Sequence, residues 1–197
     1  MEISTAAGPA RITLDDVADP RFLLVLTHSS NGGVGAPDLM AVRNAALGLG
    51  GSVARVLQPF RVAGRRAPGP AAGQDAAWLE VIAALRERYG DLPLIQGGRS
   101  NGARVACRTA QAAGARGVIA LAFPLHPPGR PGVSRADELR HAGVEVLVVN
   151  GDRDPFGVPD LADAASVQVL PGERHDLAKS PAVIGEMAAD WLRRWRK

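Results

Sequence analysis

Gln96-Gly97-Gly98-Arg99-Ser100-Asn101-Gly102-Ala103 closes a short apolar run, Leu92–Gln96, and opens a helical pattern, Asn101–Ala113. The run reads as a strand and the pattern as a helix, so Gly98-x-Ser100-x-Gly102 sits at a strand–turn–helix junction. Such a turn is tight. Residues two before and two after the serine have to be small, the serine backbone is strained, and its hydroxyl is pushed clear of the sheet. The helix N-terminus behind it aims backbone N–H groups at any developing anion. That context makes Ser100 a candidate nucleophile; the plainer reading is a glycine-rich loop in which Ser100 caps the helix.

On either side of this junction, short β-rich runs alternate with longer helical ones. Strands are predicted at Arg21–Thr27, Ser52–Leu57, Leu92–Gln96, Gly117–Phe123, Val144–Asn150 and Ser166–Leu170, with an additional edge strand near Arg11–Leu14. Helices are predicted at Leu39–Gly48 (with Asp38 as N-cap behind Pro37), Asp75–Tyr89, Asn101–Ala113, Arg135–Ala142 and Pro181–Arg196. The runs Leu23–Leu26, Val118–Ala122 and Val146–Val149 are continuously apolar, which means burial on both faces of a parallel sheet. The alternation predicts a doubly wound α/β domain spanning 1–197, with a mostly parallel sheet of six to seven strands and helices on both faces. Gly64–Gly73 reads as a surface loop, too short for an interdomain linker. In this architecture ligands bind beyond the carboxyl ends of the strands.

Composition narrows the classes. The chain has 197 residues, 46% apolar and 22% charged, which suits one globular core. The net charge is +3; the positive charge is nearly all arginine, interspersed with acids, and its densest cluster is the C-terminal Arg193, Arg194, Arg196, Lys197. Dispersed charge of this kind argues against nucleic-acid binding. A lone Cys107 excludes an intrachain disulfide and a cysteine-based metal site. No apolar stretch is long enough to span a bilayer, and Met1–Ala10 lacks the features of a secretory signal, so a cytoplasmic setting is expected. No metal-ligand cluster, Walker phosphate loop or dinucleotide fingerprint appears in the sequence, so no cofactor and no metal are expected.

A serine nucleophile needs a base, and there are four histidines. His28 ends the first strand, His126 follows the fourth, and His141 reads as a solvated helix-end residue. His175 lies beyond the last strand and comes last in chain order, as the base does in a Ser…Asp…His arrangement. The orienting acid should follow the fifth strand, where Asp152 and Asp154 compete in Gly151-Asp152-Arg153-Asp154-Pro155-Phe156-Gly157. Asp154 lies deeper in the loop, where its side chain can turn back, whereas Asp152 suits a capping role. The oxyanion hole should combine the N–H of Asn101 with one from the loop after the first strand, assigned to Ser29 with Ser30 as the neighbouring option. His28 then reads as structural or site-lining. The Phe123–Pro131 loop, with Phe123, Leu125 and His126, should wall the site, and Arg99 could steer an acidic substrate.

Four segments together resemble a small lidless subgroup of α/β-hydrolases related to dienelactone hydrolases, a domain also carried by a subunit of an animal chromatin acetyltransferase complex. They are His28–Gly32 with Pro37, the Gly97–Gly102 elbow, Phe123–Pro131, and Gly151–Gly157 followed by His175-Asp176-Leu177. The chain departs from the subgroup at Ser29-Ser30-Asn31, where a Gly/Ala run is usual, and at Asn101, where Met is usual. The resemblance implies an α/β-hydrolase fold without a lid domain and a Ser100–His175–Asp154 triad, and it favours Asp154 over Asp152. The function expected is hydrolysis of a small ester or thioester by a monomer or homodimer, with no nucleic-acid or membrane partner. Acyl transfer to an acceptor other than water, or a non-catalytic scaffold on the same fold, are the alternatives.

Overall fold

The computed structural model describes residues 1–195; Arg196 and Lys197, the end of the predicted final helix and of the basic cluster, lie outside the described residues. Two features organise the chain: a core strand buried on both faces, and a reversal of strand order beside it. The strands are β1 (Glu2–Thr5), β2 (Gly8–Asp15), β3 (Phe22–Thr27), β4 (Gly51–Leu57), β5 (Leu94–Arg99), β6 (Gly117–Leu121), β7 (Glu145–Gly151) and β8 (Ser166–Leu170). They form one sheet in the order β1-β2-β4-β3-β5-β6-β7-β8. β1–β2 and β2–β4 pair antiparallel, and every other neighbouring pair is parallel.

The apolar strands are buried because helices cover both faces. On β3, Phe22, Leu24 and Leu26 face one core with Leu39, Ile184 and Trp191. The alternate residues Leu23 and Val25 face the other, with Trp78, Val81, Leu85 and Val105. The first core lies under α1 (Pro37–Gly48) and α6 (Pro181–Leu192). The second lies under α3 (Ala71–Tyr89), α4 (Asn101–Thr109) and α5 (Ala136–Arg140). A four-residue helix, α2 (Pro59–Val62), follows β4, and a 3₁₀ turn, Arg193–Trp195, follows α6. Met187 and Trp195 pack on the first core with Trp191, as their helical spacing predicts.

The sheet has eight strands where six to seven were expected. The edge strand foreseen near Arg11–Leu14 is the longer β2, and β1 pairs with it. β2 buries only Ala10 and Ile12 on one face, so its sequence carries a weak apolar signal. Asp38 is not the N-cap of α1. Ala36 holds that position and Pro37 opens the helix, which places Asp38 in the first turn with its side chain turned inward.

β3 lies between β4 and β5, so the chain reverses direction across the sheet there. The crevice opened by such a reversal receives the loops after β3 and β5, which carry Ser29 and Ser100.

Candidate active site

Ser100 ends β5 and precedes α4 with φ 53° and ψ −112°, a region that L-residues rarely occupy. Its N–H donates to the Leu121 carbonyl of β6 at 2.9 Å, which fixes the turn to the sheet. The flanking glycines are sterically required. A Cβ on Gly98 would stand 2.6 Å from the Gly102 carbonyl carbon, and one on Gly102 would stand 2.8 Å from the His28 and Thr27 carbonyl oxygens. All of these are backbone atoms that cannot swing aside.

His175 reaches Ser100 because the β8–α6 loop rests directly on the turn after β7. A Cβ on Gly151 would lie 2.2 Å from the Glu173 carbonyl oxygen, and the Arg153 N–H donates to that oxygen at 3.0 Å. His175 Nε2 lies 2.8 Å from Ser100 Oγ. Its Nδ1 lies 2.7 Å from Asp154 Oδ2. The Asp154 side chain is fully buried, and the imidazole is 21% exposed. Asp154 Oδ1 accepts the Phe156 N–H at 2.9 Å, so both carboxylate oxygens are occupied. A carboxylate beside Nδ1 fixes the proton there and leaves Nε2 to accept from the serine hydroxyl. The Phe156 ring meets the imidazole edge-on, 4.5 Å between centroids. Asp152 instead accepts the Gly172 N–H at 2.7 Å, a loop-capping contact.

Ser29, Ser30, Arg99, Ser100, Asn101 and His175 share one cavity of about 570 Å³. Among the described residues, the backbone N–H groups of Ser29 and Asn101 have no hydrogen-bond partner. The Asn101 side chain turns aside, its Nδ2 donating to Gln74 Oε1 at 2.8 Å. Arg99 lies along the cavity wall. It donates to the His175 carbonyl at 3.3 Å and pairs at 3.3 Å with the buried Asp38 carboxylate. Burial pushes the Asp38 carboxyl above its usual range, and the Arg99 charge opposes that rise. Arg99 thus anchors the backbone that carries the imidazole.

Four residues expected to line the site do not. His28 is fully buried; its Nδ1–H donates to the Ser29 carbonyl at 2.7 Å and its Nε2 accepts the Gln58 N–H at 3.0 Å, so both nitrogens are spent on structure. Burial pushes its pKa down and keeps the ring neutral. Phe123 is fully buried in the core beneath the loop. Leu125 and His126 pack on Gly157, and His126 Nδ1 contacts the Val133 carbonyl at 2.9 Å. The prolines turn the loop so that Pro124 and Pro128 reach the cavity in their place. Sequence reasoning missed Arg104, Arg135, Phe156 and Arg174, which also line it. The signal for Arg104 was its position one helical turn beyond Ser100; Arg135 carried none.

An eight-stranded, mostly parallel sheet with a serine on a left-handed turn at its switch point defines the α/β-hydrolase class. The chain belongs to that family: residues 21–190 match the model of an alpha/beta hydrolase domain. Solved structures agree on the fold. A serine hydrolase without a lid from Xanthomonas campestris has a TM-score of 0.78 at 19% identity, covering 99% of this chain and 93% of its own. An alpha-beta serine hydrolase homologue from Coxiella burnetii has 0.81 at 16%, covering 98% and 96%. The esterase domain of a Rhodothermus marinus protein has 0.73 at 17%, covering 100% and 98%. No curated protein matches the chain in sequence. Among the described residues, no helix is long and apolar enough to cross a membrane.

Proposed function

We propose that the protein is a serine hydrolase that cleaves an ester or thioester of a small acyl substrate through an acyl-enzyme. The observation that carries this reading is the continuous contact from Asp154 Oδ2 through the imidazole to Ser100 Oγ, at 2.7 and 2.8 Å. Ser100 Oγ attacks the acyl carbon while His175 Nε2 takes the hydroxyl proton. The tetrahedral intermediate collapses, the bond to the leaving oxygen or sulfur breaks, and His175 returns the proton to the leaving group. Water, deprotonated by the same nitrogen, then attacks the acyl-enzyme and regenerates Ser100. Asp154 holds the imidazole in its reactive tautomer and stabilises the imidazolium. The Asn101 and Ser29 N–H groups, lacking protein partners among the described residues, receive the oxyanion; one such donor is worth about 3 kcal/mol of barrier. The esterase description of the Rhodothermus neighbour accords with this reading. Among the described residues no inserted lid domain covers the site, and an open cavity suits short or flexible acyl groups.

The test is turnover of nitrophenyl acetate and butyrate and of short acyl thioesters by the wild type and by Ser100→Ala. The proposal predicts measurable hydrolysis that falls on the order of 10⁴-fold or more in the variant. An undiminished rate in Ser100→Ala removes Ser100 from the mechanism.

A further inference from the structure

The cavity around Ser100 has a marked charge imbalance. Arg99, Arg104, Arg135 and Arg174 line it, with Asp176 as the acid on its wall. Two of the arginines have carboxylates of their own. Arg99 pairs with buried Asp38. Arg104 grips Glu138 with both arms of its fork, Nε to Oε2 at 2.8 Å and Nη2 to Oε1 at 2.5 Å. The next arginine on α4, Arg108, is held by Asp75 at 2.6 Å and touches Glu138 at 3.5 Å. Glu138 is therefore already shared between two guanidinium groups.

Arg135 is the half-buried cation left over. Among the described residues no carboxylate lies within ion-pair distance of it. Its Nη1 donates to the Pro124 and His126 carbonyls at 3.3 and 3.4 Å, which leaves Nε–H and the Nη2 pair of its fork unassigned. Burial and the Arg104 charge depress its pKa, with Glu138 opposing and Arg108 adding to the repulsion. A guanidinium partly removed from water beside other cations is costly unless an anion joins it. Arg174, which lines the cavity beside His175, is exposed to solvent, so it does not share that cost.

We propose that the catalytic cavity is built for an ester or thioester carrying a second, monoanionic group such as a carboxylate, and that Arg135 receives that group. One uncompensated charge matches one negative charge, and a planar fork matches a carboxylate. The proposal rests on the serine-hydrolase reading and extends it to a substrate class. Arg135 is a binding residue in this account, with no part in the bond-breaking steps.

Two matched ester pairs test it. The first is 4-acetoxybenzoate against its methyl ester, which puts the charge on the leaving group. The second is monophenyl adipate against phenyl hexanoate, which puts it on the acyl chain. The expected result is a preference in kcat/KM of about tenfold or more for the charged member of at least one pair, the scale of one charge-assisted hydrogen bond. That ratio should collapse toward one in Arg135→Gln, return in part in Arg135→Lys, and shrink in the wild type as salt is added. Glutamine retains an amide donor for the loop carbonyls, and the lysine variant separates lost charge from lost shape. A ratio near one in both pairs for the wild type, or a preference that persists in Arg135→Gln, overturns the proposal. Failure to cleave any of the four esters would instead overturn the hydrolase reading, and this proposal with it.

Discussion

Replacing Ser100 by glycine and, separately, by alanine isolates the backbone strain of the turn from the contact its hydroxyl makes. Both substitutions remove the 2.8 Å contact with His175 Nε2, a loss of about 1 kcal/mol common to the two. They differ in the Cβ. At φ 53° and ψ −112° a residue with a side chain stores roughly 1–3 kcal/mol of strain, which alanine keeps and glycine relieves. Glycine gives back roughly 0.5–1 kcal/mol through the greater freedom of its unfolded chain. The balance favours Ser100→Gly over Ser100→Ala by about 1 kcal/mol. For a domain of this size that separates the melting temperatures by roughly 2–4 °C. Thermal unfolding followed by circular dichroism, with both variants in one buffer, measures it. Both should be inactive on nitrophenyl esters, so the more stable protein gains nothing in function. A Ser100→Gly protein that melts at or below Ser100→Ala would refute the claim that the turn is strained.

Asp154→Asn keeps an oxygen for the Phe156 N–H but presents an amide to His175 Nδ1, which selects the wrong tautomer; kcat should fall on the order of 10⁴-fold with the melting temperature little changed, checked by steady-state kinetics. Gly102→Ala drives a Cβ to 2.8 Å from two backbone carbonyl oxygens and should cost about 2 kcal/mol or more in urea unfolding. Gly73→Ala is its control: nothing lies within 4 Å of the added carbon on α3, and a gain of about 1 kcal/mol is expected. The depressed pKa of His28 gives a pH dependence with a definite sign. Below its ordinary value of 6.5 the unfolded chain binds a proton that the folded state refuses, so stability falls with pH, by at most about 1.4 kcal/mol per unit from this group. Melting temperatures from pH 7.5 to 5 should drop more steeply for the wild type than for His28→Gln.

The central strands were legible because burial on both faces writes itself into sequence as an unbroken apolar run; β3 and β6 are buried along their whole length. β1 was not, because a four-residue edge strand that buries Ile3 alone has no pattern to read. Ser100 and His175 stood out for a different reason: each follows a strand end, where the fold collects side chains; Asp154 shares that placement with Asp152, and the family resemblance was needed to choose between them. The wall of the cavity was much less so. Whether a loop residue points into a crevice or under it depends on local twist, and Phe123 went under while Pro124 came forward. Asp38 looked like a cap because caps and buried ion pairs use the same residue; only its meeting with Arg99, distant in sequence, tells them apart. Arg135 had no sequence signal at all, since a cation's lack of a partner appears only when the other acids have been placed.

Ser100, activated by His175, is expected to form a covalent bond in the reaction. Intact mass after exposure to a fluorophosphonate reads it directly. One stoichiometric adduct is expected, mapped by peptide sequencing to Ser100, absent in Ser100→Ala and formed far more slowly in His175→Ala. No adduct on the folded wild type, or an adduct on another residue that persists in Ser100→Ala, would contradict it.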